Sequence, residues 1–161
     1  MTDFQEFTFL SSDGHTQLHG AQWTPADRKP RAVLQIAHGV AEHILRYDDF
    51  ARYLNDRDIL VAGHDHLGHG KSLPEGGTPV YFGDGSTWET VVDDIHLLHD
   101  RLREQYPDLP ILLMGHSMGS FLSRSYILFF LSITPSIAFC PEKTTGAATM
   151  TVSYPRPFQL Y

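Results

Sequence analysis

Three short apolar runs alternate with segments of helical periodicity, and this alternation restricts the fold more than any other feature of the sequence. The runs are residues 32–37, 59–62 and 110–114, and each has the length of a strand that is covered on both faces. Apolar residues recur at helical spacing between them, at 47–55 and 87–106. Strands and helices in this order form a parallel sheet with right-handed crossovers. The sequence therefore predicts an α/β fold, with a mostly parallel sheet and flanking helices.

Two local predictions accompany this fold. Strand patterns at 6–10 and 18–24 flank the turn at 11–14, which indicates a hairpin at one edge of the sheet. On the longer helix, Asp93 and Asp94 lie off the apolar stripe, so we expect both carboxylates on a solvated face.

The composition is that of one globular domain. The chain has 161 residues and a formal net charge of −7. Such a chain offers no basic surface to the phosphates of nucleic acid, which is excluded as a general partner. The single Cys140 cannot form an internal disulfide, the first residues lack a secretory pattern, and the apolar stretch 127–140 is too short and too broken to span a bilayer. We expect a cytoplasmic protein.

The segment Gly115-His116-Ser117-Met118-Gly119 joins the third apolar run to a helical pattern. In this context a Gly-x-Ser-x-Gly turn holds the serine hydroxyl clear of the sheet on a strained backbone, and the glycines are needed where strand and helix crowd together. The helix N-terminus places N–H groups and a positive dipole end beside a developing oxyanion. We interpret Ser117 as a nucleophile; an ordinary strand-to-helix turn is the alternative.

A second loop complements this elbow. His38-Gly39-Val40 follows the first apolar run directly. In folds with such an elbow, one oxyanion donor is the N–H of the residue after the nucleophile and the other comes from the loop after the earlier strand. These donors are here the backbone N–H groups of Met118 and Val40.

Three blocks of sequence then resemble a known family. They are His38-Gly39-Val40-Ala41-Glu42-His43 with Arg46-Tyr47, then Asp65-His66-Leu67-Gly68-His69-Gly70-Lys71-Ser72, then Gly115-His116-Ser117-Met118-Gly119-Ser120. In order, spacing and content they are similar to monoacylglycerol lipases and bacterial lysophospholipases, which are serine hydrolases of the α/β-hydrolase fold. The resemblance implies hydrolysis of carboxylic esters of glycerol, with Ser117 as nucleophile and Val40 and Met118 as oxyanion donors. Proline-type aminopeptidases share the elbow, so they remain an alternative.

Histidines near these blocks invite two other interpretations. His64, His66 and His69 beside Asp65 could bind a metal, but their spacing matches no structural zinc pattern, and a glycine-rich loop at a strand end is the plainer interpretation. His116 adjoins the nucleophile, but neighbours on a sharp turn point in different directions, so we expect it to pack beneath the elbow rather than act as base. No metal or cofactor is expected.

The catalytic pattern is incomplete after Ser117. In this fold the nucleophile is followed by an acid and then by a histidine, yet all ten histidines precede Ser117 and the only later acid is Glu142. We therefore expect a fold truncated after the elbow helix, inactive or very weakly active alone. We also expect the chain to be unstable or to associate with other chains, because the last parallel strand would have an unpaired edge.

The expected partners depend on whether the chain is part of an ester hydrolase or a non-catalytic fragment. A small-molecule acyl ester is the expected substrate, and peripheral contact with a membrane is left open. A non-catalytic fragment that binds an acyl ligand or another protein is the alternative function. The sequence does not determine the oligomeric state.

Residues 128–161 differ in character from residues 1–127, which we expect to form the N-terminal half of an α/β-hydrolase domain. The tail has three charged residues, Glu142, Lys143 and Arg156, and shows neither strand alternation nor a helical stripe. We expect an aberrant, poorly ordered tail that arises from a shifted reading frame or a misplaced gene end; a true short variant is the alternative. Translation of the nucleotide sequence in the other two frames tests this, since the correct frame would supply an Asp followed by a His.

Overall fold

The computed structural model describes residues 1–130 and the backbone of residues 136–140 and 149–153. In chain order the described elements are β1 (Thr2–Leu10), β2 (Gln17–Pro25), β3 (Ala32–Ala37), a 3₁₀ turn (Ile44–Tyr47), α1 (Asp48–Asn55), β4 (Ile59–His64), a second 3₁₀ turn (Gly70–Ser72), α2 (Trp88–Gln105), β5 (Ile111–His116), α3 (Met118–Phe130), β6 (Ser136–Cys140) and β7 (Thr149–Ser153).

The described strands form one mixed sheet in the order β1-β2-β4-β3-β5-β7-β6. At its centre, β3 pairs in parallel with β4 on one side and with β5 on the other. The three apolar runs are therefore adjacent parallel strands, as predicted. The α/β fold with a mostly parallel central sheet and flanking helices is confirmed.

Helices cover both faces of the sheet. On one face, α2 and α3 bury a stripe that includes Val91, Ile95, Leu98 and Tyr126. On the other face, α1 and the first 3₁₀ turn pack with Ile44 on a core of their own. Burial of apolar side chains on both faces stabilises the layers, and explains why the central strands are mainly apolar.

The N-terminal hairpin lies at an edge of the sheet, as predicted. β1 and β2 pair antiparallel along their whole length, and β2 pairs antiparallel with β4. Trp23 of β2 is fully buried, and its indole N–H donates to a carboxylate oxygen of Asp48 at 2.7 Å. The hairpin is thus tied to α1 as well as to the sheet.

Beyond α3, two strands extend the sheet. β7 pairs antiparallel with β5, and β6 pairs antiparallel with β7. The expectation of an unpaired edge at β5 is therefore wrong, because β7 supplies its ladder of hydrogen bonds. The shifted reading frame and the domain boundary at residue 127 stay predictions, and residues 131–135, 141–148 and 154–161 lie outside the described part of the chain.

Asp94 corrects the expectation of a solvated carboxylate on α2. Its side chain is fully buried and accepts hydrogen bonds from the Ser11 hydroxyl at 2.9 Å and the Ser12 N–H at 2.7 Å. Burial raises the pKa of Asp94, although the hydrogen bonds from both serines oppose that rise. Helical periodicity could not reveal this, because the turn at residues 11–12 is brought to α2 by tertiary structure. Asp93 is exposed as expected.

We expect Asp94→Ala to lower the free energy of unfolding by about 1–3 kcal/mol, because it leaves the buried donors of the hairpin turn without an acceptor. Asp93→Ala, at the exposed neighbouring position, is the matched control and should be nearly neutral. Urea unfolding of both variants measures the difference. Equal losses from the two substitutions would show that Asp94 does not hold the turn.

Candidate active site

Ser117 lies at a sharp turn between β5 and α3, in the position that the sequence predicts. Its backbone φ is +50°, in the left-handed region that a residue with a side chain rarely adopts. The Ser117 carbonyl accepts from the Ser120 N–H at 2.9 Å and from the Ser120 hydroxyl at 2.6 Å. The strained serine is thus held by the first turn of α3 and by the strand before it.

The glycines on each side of Ser117 are required by close backbone contacts. A Cβ at Gly119 would lie 2.0 Å from the carbonyl oxygen of Ala37, at the end of β3. A Cβ at Gly115 would lie 2.3 Å from the carbonyl oxygen of Gly119. Strand β5, helix α3 and the end of β3 therefore approach one another closely only because these positions carry no side chain.

The loop after β3 lies against this elbow. A Cβ at Gly39 would lie 3.1 Å from the Cβ of Ser117 and 3.2 Å from Nδ1 of His116. Val40 follows with half of its surface exposed, and Ala41 has a φ of +57°. Because β3 and β5 are parallel neighbours, both loops leave the same edge of the sheet. The structure thus brings together the loop of Val40 and the elbow of Ser117 and Met118.

Glu42 links the two loops, and sequence analysis assigned it no role. Its Oε1 accepts hydrogen bonds from the Gly39 N–H, from Nδ1 of His116 at 2.9 Å and from the Tyr47 hydroxyl at 3.0 Å. Arg46 lies 3.4 Å from Oε2. The carboxylate is nearly buried, with 6% of its side chain exposed. The only feature of the sequence that could have indicated this role is that Glu42 lies within the His38–His43 block.

His116 pairs with Glu42 instead of packing beneath the elbow. Its side chain is 41% exposed, which corrects the expectation of a packed ring. Among the residues that the structure describes, no side chain makes a hydrogen bond to the Ser117 hydroxyl. Within these residues, therefore, His116 is not arranged as the base of Ser117.

A buried carboxylate organises the neighbouring loop after β4. Asp65 accepts from the Ile44 N–H at 2.6 Å, from the Lys71 N–H at 2.8 Å and from Nδ1 of His19 at 2.9 Å. A Cβ at Gly70, where φ is +48°, would lie 2.2 Å from a carboxylate oxygen of Asp65. The second block of sequence is therefore a structural loop built around Asp65.

Four histidine rings cluster in tilted and edge-on contacts. The ring centroids of His38 and His66 are 4.2 Å apart, those of His64 and His66 are 5.0 Å apart, and His69 lies 5.3 Å from His38. His38 is hydrogen-bonded through both nitrogens, to the Gly39 carbonyl and the His66 N–H. Neither ring nitrogen of His64 has a partner among the described residues. No set of three or more metal-ligating side chains with suitable geometry occurs in that part of the chain.

Because these histidines are buried, we expect the free energy of unfolding to fall in acid. Burial lowers the pKa of His64 to about 3 and that of His38 to about 4, against an ordinary value near 6.5. Between these limits the unfolded chain binds protons that the folded chain does not. The stability that these two neutral rings contribute is therefore fully present above about pH 6.5 and is lost as the pH falls toward 4.

We expect His64→Leu to flatten this acid dependence of the free energy of unfolding, because it removes one buried ring that must stay neutral. The measurement is urea unfolding at a series of pH values from 7 to 4. His43→Leu, at an exposed histidine, is the control and should leave the slope unchanged. A slope that is the same in the His64 variant would contradict the assignment.

An apolar groove of about 320 Å³ opens beside the elbow. Its lining comprises Phe82, Trp88, Met118, Phe121, Leu122 and Ser125. Phe121 is 68% exposed, and further along α3 Leu128 is also exposed. Over the described residues, no helix is both long and apolar enough to cross a membrane.

The chain is similar to proteins named monoglyceride lipase and monoacylglycerol lipase. Mouse monoglyceride lipase is 34% identical over 149 residues, a match that covers 88% of this chain and 47% of the relative. Monoacylglycerol lipase of Mycolicibacterium smegmatis is 39% identical over 104 residues, which cover 65% of this chain and 35% of the relative. The chain thus spans about half the length of the mouse relative, and about a third of the bacterial one.

A solved structure shares the fold. The thermostable carboxyl esterase of Bacillus coagulans, solved in complex with glycerol, superposes with a TM-score of 0.73 at 39% sequence identity. The superposition covers 80% of this chain and 41% of the esterase. The predicted α/β-hydrolase fold and the resemblance to monoacylglycerol lipases are thereby confirmed.

The family model described as serine aminopeptidase, S33, matches residues 28–137. This range contains the β3 loop, the Asp65 loop and the elbow, so the match rests on the same elements that form the candidate site. It covers more than half of the chain. The chain belongs to the serine aminopeptidase S33 family of α/β-hydrolases.

Proposed function

We propose that this chain provides the nucleophile and the oxyanion hole of a serine hydrolase that cleaves carboxylic esters of glycerol. The observation that carries the proposal is the strained Ser117, whose φ of +50° sets it at the turn between β5 and α3. The loop of Gly39 and Val40 lies directly against it. The names of the monoglyceride lipase relatives support an ester as substrate.

In the proposed reaction, Oγ of Ser117 attacks the ester carbonyl carbon and loses its proton to a base. The carbonyl oxygen becomes an oxyanion, which accepts hydrogen bonds from the backbone N–H groups of Val40 and Met118. When this intermediate collapses, the bond to the glycerol oxygen breaks, that oxygen takes the proton back from the base and leaves as an alcohol, and an acyl-Ser117 ester remains. Water then hydrolyses that ester and regenerates the serine.

The groove beside the elbow favours an acyl chain over a peptide. The part of its lining that the structure describes is almost entirely apolar and carries no carboxylate. An aminopeptidase substrate presents an α-ammonium group, which needs an anionic partner near the scissile bond. Glu42 is the nearest buried acid to the elbow loops, and its Oε1 is already occupied by three donors. We therefore favour the ester over the aminoacyl substrate that the family's description suggests.

The 161-residue chain by itself is proposed to turn over esters very weakly. After Ser117 the sequence contains no His, and its only acid is Glu142, so the base of a triad and an Asp as its acid would have to come from elsewhere. A chain without them could still bind an acyl ligand in the apolar groove, which is the second candidate function.

The test uses a completed protein, in which residues 1–127 are followed by the corresponding second half of mouse monoglyceride lipase. It is treated with a fluorophosphonate probe and assayed with a monoacylglycerol and with an aminoacyl amide. Labelling at Ser117 and hydrolysis of the monoacylglycerol are expected. Faster hydrolysis of the amide would favour the aminopeptidase, and an unlabelled Ser117 would refute the nucleophile.

The 161-residue chain and the completed protein together separate the two candidate functions. The same assays on the 161-residue chain should show little hydrolysis. Saturable binding of a fluorescent fatty acid by a chain that is inert even when completed would favour the binding module. Hydrolysis by the completed protein would favour the enzyme.

A further inference from the structure

Three donors from separate elements converge on one oxygen of Glu42. Gly39 belongs to the loop after β3, His116 ends β5, and Tyr47 ends the first 3₁₀ turn. All three bond to Oε1, while Oε2 lies 3.4 Å from the largely exposed Arg46, its one partner within the described residues. An ionised carboxylate can only accept hydrogen bonds. Three N–H or O–H donors therefore suit it, because no second acceptor faces the Glu42 oxygen in this set.

The charge state of this carboxylate fits its partners. Burial acts to raise the pKa of Glu42, but the hydrogen bonds from His116, Gly39 and Tyr47 outweigh it and hold the pKa below its ordinary value. Burial and the adjacent Glu42 carboxylate together raise the pKa of the Tyr47 hydroxyl. At neutral pH the arrangement is therefore a charged Glu42 carboxylate that accepts from a protonated Tyr47 hydroxyl.

The two loops that Glu42 joins are those whose N–H groups form the proposed oxyanion hole. The Val40 N–H belongs to the peptide plane between Gly39 and Val40, so the position of Gly39 sets its direction. On the other side, His116 immediately precedes Ser117. The loop itself is irregular, with Val40 half exposed and Ala41 at a φ of +57°. Glu42 supplies the connection that regular secondary structure does not.

We infer that Glu42 is a positioning residue that clamps the oxyanion loop at Gly39 to the elbow at His116. This inference rests on the proposed function of Ser117 and Val40. Glu42 touches neither the substrate nor the reacting atoms; it acts through the two loops. Without it the Val40 N–H loses its fixed direction toward the oxyanion, and misplacement by about 1 Å costs on the order of a hundredfold in rate.

The clamp is tested first in the 161-residue chain by NMR, which does not require activity. The amide proton of Gly39 should resonate downfield and exchange slowly with solvent, because it donates to a buried carboxylate. Glu42→Ala should move this signal upfield and speed its exchange by at least about tenfold. Glu42→Gln, which keeps an oxygen acceptor for Oε1 but removes the charge, should give an intermediate signal. Arg46→Ala, which affects only Oε2, is the control. An unchanged Gly39 amide in Glu42→Ala would overturn the clamp.

The positioning role is tested second in the completed protein, per active site titrated with the fluorophosphonate. We expect Glu42→Ala to lower kcat by about a hundredfold with little change in KM. Glu42→Gln should recover most of that loss. Glu42→Asp, which keeps the charge but draws the carboxylate back by one methylene, should not recover it, and it replaces the alanine variant if that one fails to fold. An unchanged kcat per titrated site in Glu42→Asp, beside a displaced Gly39 amide, would overturn the positioning role.

Failure of the proposed function gives a different pattern of results. If the wild-type completed protein is never labelled at Ser117, the nucleophile assignment falls, and the catalytic purpose of the clamp falls with it. The Gly39 amide still reports in that case whether Glu42 holds the two loops together.

Discussion

Replacing Ser117 by alanine in the completed protein is expected to lower kcat for monoacylglycerol hydrolysis by at least about a thousandfold, because the oxyanion hole alone leaves only weak catalysis. The substitution removes the oxygen that forms the acyl intermediate. The substitution breaks no other hydrogen bond in the site, since the Ser117 hydroxyl has no partner among the described residues. Fluorophosphonate labelling should disappear together with turnover.

Ser86→Ala is the control for this experiment. Ser86 lies in the loop before α2, and should keep both labelling and kcat at the level of the parent protein. Stability measured by urea unfolding should be similar in the two variants. Labelling that persists in Ser117→Ala would assign the nucleophile to another residue and remove the basis of the proposed function.

Gly119→Ala is expected to destabilise the fold more than any other substitution considered for this chain. The new methyl group would lie 2.0 Å from the Ala37 carbonyl oxygen and 2.6 Å from that of His38, so the backbone of β3 or α3 must move. Because two backbone segments cannot yield as a flexible side chain can, we expect a loss of about 4 kcal/mol or more in the free energy of unfolding. That is a large part of the stability of a domain.

Gly76→Ala is the matched control for this prediction. Gly76 has a φ of +75°, but no heavy atom lies within 4 Å of its added Cβ. Its cost is therefore the left-handed backbone alone, about 1–2 kcal/mol. Urea unfolding of the 161-residue chain compares the two. A loss at Gly119 no greater than that at Gly76 would show that α3 can move away from β3 freely.

The sequence predicts the central sheet well, because burial on both faces leaves a direct mark on each strand. Runs such as 32–37 and 110–114 are apolar except for the buried Gln35, and both became parallel strands with helices on each face. The elbow was equally predictable from the sequence, since its glycines and serine occur at a fixed spacing within five residues. Short-range patterns of this kind need no knowledge of the rest of the fold.

Contacts between distant residues were not predictable in the same way. Asp94 and Ser11 come together only because α2 packs against the end of the hairpin. Likewise, Glu42 and His116 meet only because β3 and β5 are neighbours in the sheet. Each carboxylate has an ordinary sequence context, so a helical pattern or a motif gives no indication of its donors. Tertiary proximity, rather than residue type, makes these groups important.

The pairing of β3 with β5 also affects how the chain would fold during synthesis. Val33 pairs with Ile111, so the central strand lacks one of its two neighbours until residue 111 has left the ribosome. Long-range strand pairing of this kind is slow, because the intervening chain must be ordered before the contact forms. Ser117 follows β5 directly, and its strained turn depends on both strands. The proposed nucleophile would therefore acquire its conformation only after β3 and β5 have paired, and a chain released before that step would carry no reactive serine.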